Sequence, residues 1–572
     1  MVPARATVHG VLLTSPSLRA RHDLSRAEFS QGVPVARNAV AARCKGGRRA
    51  LPLQGAEVED AIKLSQPFHA LSFDFGQSFP AEGCRSRRVS VRAELDGVLD
   101  GVMMTWDLGL DDDVTYSTRP GAENWQDHWC PAYFPLVGIA DVQKGDTVRL
   151  KVTHSELNIM LEVLGVDGNS TGDEVNSPNF SLKRGRSPGN PPPDESAIRT
   201  QPSGKGFSGG VVAEAGGYRM EREWDPEPCG CGWHVLCNPE RIGMLTSDKR
   251  RGAYQLAIGR LLRGLPSAVC LDVSDGGTCA FLAAGEGAAA TVSYEPAEWS
   301  HLLVGQVIRN NGLDEKMHLL EAAEEWPFLK EAITPEAGGC EAEESRQEQP
   351  QERLLCDVFM GEPFFYRMQS LVLYQAMNFW YLRRLFHPVL KPEARILPMR
   401  AIVCVAGIEL PQLSLSHGPV GSVLGFDHSP YDERVRPRWH ELLYPYPLRA
   451  YRHRFLTEAA NLLSLDYTSL PRDIESSVTL SSKASGTIHA VAIWVDYQLD
   501  ETSRWTTFGG ADRGGDERST ASGGLYEKQM LRFLPRPEEV AGRQQGTGGV
   551  KLKISGRFNE EGGCMTFDVS VV

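Results

Sequence analysis

The segment PARATV at residues 3–8 returns as PMRAIV at residues 398–403, so that its proline, arginine, alanine and valine recur 395 residues later. The segment LSFDF at residues 71–75 returns in the same way as LSLDY at residues 463–467, at an offset of 392 residues. Self-similarity at a long and nearly constant offset marks a repeated structural module. The sequence therefore predicts two copies of one β-rich unit.

A third pair of segments agrees, because Trp106 and Trp494 each stand in an alternating run shortly before an acid, at an offset of 388 residues. Residues 268–389 precede the second copy and alternate strand-like and helix-like patterns, whereas only Met1 and Val2 precede the first. We therefore expect that the first module lacks the domain that precedes the second.

Local patterns divide the chain into regions of different structure. Residues 66–165 alternate apolar and polar positions between Gly and Asp turns, as strands do. Residues 268–320 show the strand–helix–strand order of a parallel sheet. We predict an α+β multidomain fold with a first β-barrel at residues 1–166, a Gly/Ser/Pro-rich linker at 167–223, a Cys/His junction at 224–240, a Rossmann-like α/β domain at 241–400 and a second β-barrel at 401–572.

Composition excludes several classes of protein. The 572 residues carry a net charge of −13, which argues against direct nucleic-acid binding and suits basic, Arg-rich partners. No apolar run reaches the roughly 18 residues of a membrane span. The 12 cysteines show no regular framework, so we expect reduced thiols and a cytoplasmic or nuclear location.

The loop NWQDHWCPAYF at residues 124–134 places His-Trp ahead of an aromatic strand. A β-barrel with such a loop, in a unit that begins Val-Pro-x-Arg-Ala, resembles the protein arginine methyltransferases. Members with two tandem modules resemble this chain most, particularly the monomethylating type III subfamily. The resemblance covers nearly all of the chain except its linkers.

The resemblance implies roles for two residues of this loop. His128 would pair with an acid of a cofactor domain, and Trp129 would form a wall of the pocket for the substrate guanidinium. An indole face can stack on such a flat cation, and a His held by a carboxylate can orient the site. Without the resemblance, a His-Trp pair in a β loop would more often serve packing.

The resemblance also implies a site for S-adenosylmethionine in the α/β domain, with a glycine-rich turn after the first strand. Here the strand at residues 269–273 ends in the turn SDGGT, which keeps only Gly276 of the expected alternate glycines. Asp272 and Glu295 are the other remnants, and Glu295 stands where an acid would bind the ribose hydroxyls. We therefore expect no intact cofactor site in this domain.

Family members hold the substrate guanidinium with two glutamates nine residues apart. Glu362 supplies the first, but Leu371 stands at the second position. The segment LYEKQ at residues 525–529 replaces His-Trp in the second barrel. The second module thus resembles the inactive half of two-module members, and we expect it to mimic the second subunit of a dimer within one chain.

Cys229, Cys231 and His234 lie within six residues, and two thiolates and an imidazole suit zinc. The fourth ligand is left open between Cys237 and Cys84. Similar two-module methyltransferases carry a structural zinc finger at this junction. Unligated surface cysteines are the alternative.

These observations favour a two-module protein arginine methyltransferase that transfers a methyl group from S-adenosylmethionine to arginine of Arg-rich proteins such as histones or RNA-binding proteins. The chain itself would hold the His128 and Trp129 side of the active site and be inactive alone. The alternative is a non-catalytic scaffold that binds protein partners. A second module that still binds cofactor is a third and weaker hypothesis.

Overall fold

A computed structural model gives the fold of this protein. It describes residues 2–19, 51–53, 58, 61–76, 85–122, 129–154, 159–168, 239–328, 355–368, 370–439, 442–508, 527–541 and 551–572. Residues 169–238, which contain most of the predicted linker and junction, lie outside these ranges. The boundaries of the five predicted regions therefore stay predictions.

The described part of the first β unit includes antiparallel strands and the short helix α1 (Pro16–Arg19). Its strands are β1 (Arg5–Thr14), β2 (Leu51–Pro52), β3 (Ile62–Lys63), β4 (Phe68–Asp74), β5 (Arg85–Arg92), β6 (Gly97–Gly109), β7 (Thr115–Ser117), β8 (Ala132–Val142), β9 (Thr147–His154) and β10 (Ile159–Asp167). One sheet has the order β2-β8-β6-β1-β3, with β4 on β1 and β7 on β6, and the other has the order β10-β9-β5. Alternate residues such as Leu12, Val102 and Val148 form the core, as the sequence pattern predicts.

The α/β domain has a five-stranded parallel sheet in the order β13-β12-β11-β14-β15. Its elements are α2 (Pro239–Thr246), α3 (Asp248–Arg263), β11 (Val269–Asp272), α4 (Thr278–Gly285), β12 (Ala290–Tyr294), α5 (Glu298–Asn310), β13 (Met317–Leu320), β14 (Cys356–Met360), α6 (Val372–Leu385) and β15 (Leu390–Leu397). Every residue of β11 is buried, which explains why the strand is apolar up to Asp272 at its end. Ser247 caps α3 by accepting a hydrogen bond from the N–H of Arg250.

The second β unit repeats the first. Its elements are β16 (Arg400–Glu409), α7 (Pro411–His417), β17 (Ser422–Val423), β18 (Phe426–Asp427), α8 (Ser429–Trp439), β19 (Tyr444–Tyr446), β20 (Arg454–Phe455), β21 (Ala460–Asp466), β22 (Ile474–Ser481), β23 (Gly486–Gln498), β24 (Arg504–Thr506), β25 (Gln529–Val540), β26 (Lys551–Asn559) and β27 (Cys564–Val571). One sheet has the order β19-β25-β23-β16-β20, with β21 on β16 and β24 on β23, and the other has the order β22-β26-β27. Apart from the small hairpin of β17 and β18, this is the topology described for the first unit, strand for strand.

The two units also share their register. Arg5 pairs with Asp74 and Arg400 pairs with Asp466, and a bulge follows Val8 in one unit and Val403 in the other. The repeat predicted from the sequence is therefore confirmed in both pairing and irregularity, and so is the predicted fold class.

The match of Trp106 with Trp494 is wrong by one residue. Trp106 pairs with Val8, but the residue that pairs with Val403 is Val495. Because side chains alternate along a strand, a shift of one residue moves the indole to the other face of the sheet. Trp494 is consequently buried in a core cluster, whereas Trp106 is half-buried.

The α/β domain and the second β unit share one continuous apolar core. Trp380 of α6 stacks on Phe558 of β26 with ring centroids 5.5 Å apart, and its Nε1 donates to the carbonyl of Ser469 at 2.8 Å. Tyr467 donates its hydroxyl to the carbonyl of Ala376 at 2.9 Å. These contacts fix the α/β domain against the second β unit.

The segment between β16 and β19 differs from the expectation of β structure throughout residues 401–572. It forms two helices, α7 and α8, around the small hairpin of β17 and β18. The short α7 begins at Pro411, whose missing N–H suits the first turn of a helix. No helix in the described ranges is long and apolar enough to cross a membrane.

Candidate functional site

An exposed tryptophan lies at one end of the first β unit. Trp129 precedes β8, and 40% of its side-chain surface is exposed. Its ring centroid lies 4.8 Å from that of Trp106 on β6 and 5.3 Å from that of Tyr116 on β7. Because the other two rings support this indole while it remains exposed, a planar cation can stack on it.

A carboxylate fixes the strands that carry these rings. Oδ2 of Asp107 lies 3.2 Å from Nε2 of His9 and 3.2 Å from Nη2 of Arg119. Its Oδ1 accepts a hydrogen bond from Ser117 at 2.5 Å. These contacts join β1, β6 and the β7 segment. His128 lies outside the described residues, so its predicted pairing with an acid stays a prediction.

Strand register shows which residue of the second β unit corresponds to Trp129. Ala132 of β8 and Met530 of β25 pair with equivalent positions of β6 and β23, and their numbers differ by 398. The same offset carries Trp129 to Glu527. The second unit therefore has a buried carboxylate where the first has an exposed indole.

Glu362 is bound by two arginines of the chain itself. Its Oε2 accepts a hydrogen bond from Nη1 of Arg241 on α2 at 2.5 Å, and its Oε1 accepts one from Nε of Arg250 on α3. Nη1 of Arg250 also donates to Oε1 of Glu527. All four side chains are buried. Two guanidinium groups thus face two carboxylates across the junction of the α/β domain with the second β unit.

Burial and ion pairing act in opposite directions on the pKa values of these carboxylates. Burial raises the pKa of Glu362, but the charges and hydrogen bonds of Arg241 and Arg250 outweigh it and bring the pKa down to about 2. Burial is also the largest influence on Glu527, where Arg250 opposes it less completely, and the pKa of Glu527 is raised. Within the described part of the chain, Oε2 of Glu527 has no hydrogen-bond partner. Of the two carboxylates, Glu362 is therefore the one that we assign as ionised.

The turn after β11 is closed by internal hydrogen bonds. Oδ1 of Asp272 accepts the N–H of Ser274 at 3.0 Å, and Oδ2 accepts the N–H of Ala280 at 2.9 Å. Burial raises the pKa of Asp272 to about 6. Gly277 has a φ of 60°, and a Cβ there would lie 2.7 Å from Oγ of Ser293. This turn is therefore compact and specified by glycine.

Glu295 is likewise directed inward. It accepts hydrogen bonds from the N–H of Gly276 at 3.0 Å, from Ser293 at 2.9 Å and from Ser300. No part of Glu295 is exposed, and burial raises its pKa to about 8. An acid that binds ribose hydroxyls must present its oxygens to the ligand. The described residues of this domain therefore do not fit S-adenosylmethionine.

The predicted zinc ligands Cys229, Cys231 and His234 lie outside the described residues, as do Cys84 and Cys237. Among the residues that the structure does describe, no group of three or more His, Cys, Asp or Glu side chains is arranged to hold a metal ion. Zinc binding stays a prediction.

Sequence reasoning missed the residues that close the second site. Arg241 and Arg250 follow the Cys/His junction and belong to no motif that the sequence analysis recognised. The segment at residues 525–529, which contains Glu527, was interpreted only as the loss of His-Trp. The sequence did contain a useful signal, because Leu371 replaces the second glutamate and leaves Glu362 as a single carboxylate. A buried lone carboxylate requires a cation, and arginine is the residue best suited to supply one in a buried ion pair.

The described architecture has two β units of one topology, with a Rossmann-like domain joined to the second. No family model matches the chain. It is 24% identical over 589 residues to protein arginine N-methyltransferase 7 of Danio rerio, covering 100% of this chain and 74% of that one. It is 24% identical over 558 residues to protein arginine N-methyltransferase 7 of Mus musculus, covering 93% of this chain and 69% of that one.

One of the solved structures that this chain matches is the Trypanosoma brucei PRMT1 enzyme–prozyme heterotetrameric complex with AdoHcy. It matches at 17% identity with a TM-score of 0.41, covering 58% of this chain and 92% of that one. The relatives from Danio rerio and Mus musculus confirm the resemblance predicted from the sequence.

Proposed function

We propose that this protein functions in S-adenosylmethionine-dependent methylation of arginine in Arg-rich proteins, with the first β unit forming one wall of the active site. The main support for this proposal is the exposed indole of Trp129, which packs on Trp106 and Tyr116. A guanidinium group is flat and weakly hydrated, so it stacks well on such a surface. His128, the residue before Trp129 in the sequence, would orient the site through an acid of a cofactor domain.

The second module would be non-catalytic. Its one remaining substrate-site carboxylate, Glu362, is already neutralised by Arg241 and Arg250, and its α/β domain does not fit the cofactor. We propose that this module takes the place of a second subunit. The segment between β16 and β19 suits that role, since Leu415, Leu424 and Phe426 are largely exposed and could be covered by another module.

Further parts of the proposal rest on the sequence. Cys229, Cys231 and His234 would hold a structural zinc ion with Cys237 or Cys84, because thiolate and imidazole ligands suit zinc. Histones and RNA-binding proteins are the substrates we propose, with monomethylarginine as product, in the cytoplasm or nucleus. The net charge of −13 supports attraction of such basic proteins.

A non-catalytic scaffold is the alternative, and the closed site around Glu362 is the observation that favours it. The two functions differ in what Trp129 does. In an enzyme the indole contributes to turnover, whereas in a scaffold its loss changes at most the binding of a partner.

Methyl transfer from labelled S-adenosylmethionine to an Arg-rich protein tests the proposal, with a relative's cofactor domain fused ahead of the first β unit. Trp129→Ala and His128→Ala should each lower the rate on the order of 10²-fold, because each removes a positioning group. Glu362→Gln, the matched control in the second module, should stay within a few-fold of the parent. Loss of activity in Glu362→Gln with retention in Trp129→Ala would mean that the active and inactive modules are the other way round.

A further inference from the structure

The surroundings of Arg241 consist of the groups that would bind a guanidinium ligand. Its Nη1 donates to Glu362, and its Nη2 donates to Oγ1 of Thr278 at 2.7 Å and to the carbonyl of Asp275 at 3.4 Å. Its Cζ lies 4.3 Å from the centroid of the Phe364 ring. A carboxylate, a hydroxyl, a carbonyl and an aromatic face thus converge on one planar cation.

Arg241 fills this place completely, since only 1% of its surface is exposed. It lies on α2, the eight-residue helix with which the α/β domain begins. The groups that it contacts come from the turn after β11, the start of α4 and the loop after β14. In an α/β domain, these ends of parallel strands are where ligands bind.

We propose that the second module retains a guanidinium-binding pocket, and that the side chain of Arg241 occupies it as an internal ligand. The ligand that we propose is an alkylguanidinium, such as an arginine side chain. This choice rests on the proposed function in one respect only, namely that the pocket is related to a substrate-arginine site. Arg241 thereby excludes arginine side chains of substrate proteins from the second module.

Arg250 has a different place in the site. It spans from Oε1 of Glu362 to Glu527, and its guanidinium lies 5.3 Å from the centroid of the Trp505 ring. It therefore links the α/β domain to the second β unit and forms part of the pocket wall. Each oxygen of Glu362 takes one arginine, so removing Arg241 vacates Oε2 while Arg250 still holds Oε1.

Chemical rescue of Arg241→Ala tests the proposal. The substitution leaves a cavity lined by Glu362, Thr278 and Phe364, and we expect thermal unfolding to occur on the order of 5 °C lower, because a buried charge loses its partner. Ethylguanidinium at millimolar concentration should restore at least half of that loss, saturably. Ethylammonium, which has the charge but not the planar fork, should restore much less.

Three controls make the result decisive. Arg263→Ala, an exposed arginine of α3, should show neither the loss nor the rescue. The parent protein should not be stabilised by ethylguanidinium, because its pocket is full. Arg241→Met should be destabilised but not rescued, because its side chain fills the cavity. Equal responses to ethylguanidinium in the parent and in Arg241→Ala would overturn the proposal, and so would equal rescue by the two cations.

A second measurement serves if Arg241→Ala does not fold. In the parent protein labelled with ¹⁵N-arginine, a buried and multiply bonded guanidinium should show slowed rotation and resolved Nη resonances. Arg241→Lys should remove one such set and keep that of Arg250. Failure to find a hindered set that Arg241→Lys removes would overturn the proposal. Neither experiment measures methyl transfer, so failure of the proposed enzymatic function would be seen separately.

Discussion

Apart from the β17–β18 hairpin of the second unit, the two β units share every strand pairing described for them, but they present different chemistry at the same position. In the first unit, Trp129 is exposed and packs on Trp106 and Tyr116. In the second, Glu527 stands at the corresponding position, buried and paired with Arg250. A repeated scaffold therefore tolerates replacement of an open aromatic surface by a closed ion pair. Fold repetition does not imply repetition of function.

A neighbouring position also differs between the two units. At the offset of 389 that relates Ser117 to Thr506 in the two strand pairings, Tyr116 corresponds to Trp505. Trp505 contacts Glu527 through its Nε1 at 3.4 Å and the guanidinium of Arg250 through its ring. An aromatic residue is thus kept in both units, and in the second it lies against a cation supplied by the chain itself. The second unit shows that a guanidinium can be accommodated at this position of the scaffold.

The largest expected effect is the loss of the shared cation of the second unit. Arg250→Met leaves Glu527 without a cation and Glu362 with only Arg241, so we expect a loss on the order of 3–5 kcal/mol in the free energy of unfolding. Arg119→Met in the first unit should cost less than about 1 kcal/mol, because the ion pair of Arg119 with Asp107 is partly exposed. Denaturant unfolding measures both. Equal losses would mean that the closed site does not depend on its buried charges.

Replacing Trp494 and replacing Trp129 should have opposite effects on stability and activity. Trp494→Ala should cost about 3–5 kcal/mol, because this indole is buried in a core cluster. Trp129→Ala should cost about 1 kcal/mol, the worth of its ring contacts, but should lower methyl transfer in the fused protein on the order of 10²-fold. Thermal unfolding and the transfer assay separate the two effects. A stability loss in Trp129→Ala as large as that in Trp494→Ala would make it a packing residue.

The repeat and the fold class could be predicted because individual residues of one unit recur in the other at a nearly constant offset. Proline, arginine and valine of the first strand recur at a constant offset, and the paired segments recur with them. The match of the tryptophans failed because offset alone does not distinguish neighbouring residues, whereas the register of β6 and β23 does. A single residue decides the face of a strand.

The closed site could be predicted only in part. Loss of the second glutamate at Leu371 indicated that Glu362 could not act as in the family. The partners of Glu362 come from residues 121 and 112 positions away, and Glu527 lies 277 positions from Arg250. Sequence spacing carries no signal over such separations. Burial, which makes those arginines necessary, appears only in the folded structure.

The pH dependence of stability should distinguish the closed module through Glu295. Its pKa is about 8 in the folded protein and 4.5 in the unfolded chain, so its contribution is fully present below pH 4.5 and is lost as the pH rises through 8. Glu295→Gln should remove this loss, on the order of a few kcal/mol by pH 9. Its amide can still accept from Gly276 and donate to Ser300, as a protonated carboxyl would.

Denaturant unfolding of the parent and of Glu295→Gln at pH 5, 7 and 9 measures this difference. Burial also raises the pKa values of Asp272 and Asp275 to about 6. The variant should therefore still lose stability between pH 4 and 7, but less than the parent loses. Glu362 acts in the opposite sense, since its contribution is present above pH 4.5 and is lost as the pH falls toward 2. An unchanged slope between pH 5 and 9 in Glu295→Gln would contradict the assignment of a neutral Glu295.

The smallest expected difference lies in a pair of contacts that the repeat has kept in place but changed in kind. His9 contacts Asp107 at 3.2 Å, and at the equivalent position Cys404 donates its thiol to Asp496 at 3.5 Å. Single substitutions would mix these contacts with changes in packing, so a double-mutant cycle is needed to isolate each pair. For His9→Ala with Asp107→Asn we expect a coupling of about 1 kcal/mol, typical of a hydrogen bond to a charged group at a partly exposed site. For Cys404→Ala with Asp496→Asn we expect a few tenths of a kcal/mol, because a thiol is a weak donor. A coupling in the second unit that equals or exceeds the first would contradict the expectation that the thiol is the weaker donor.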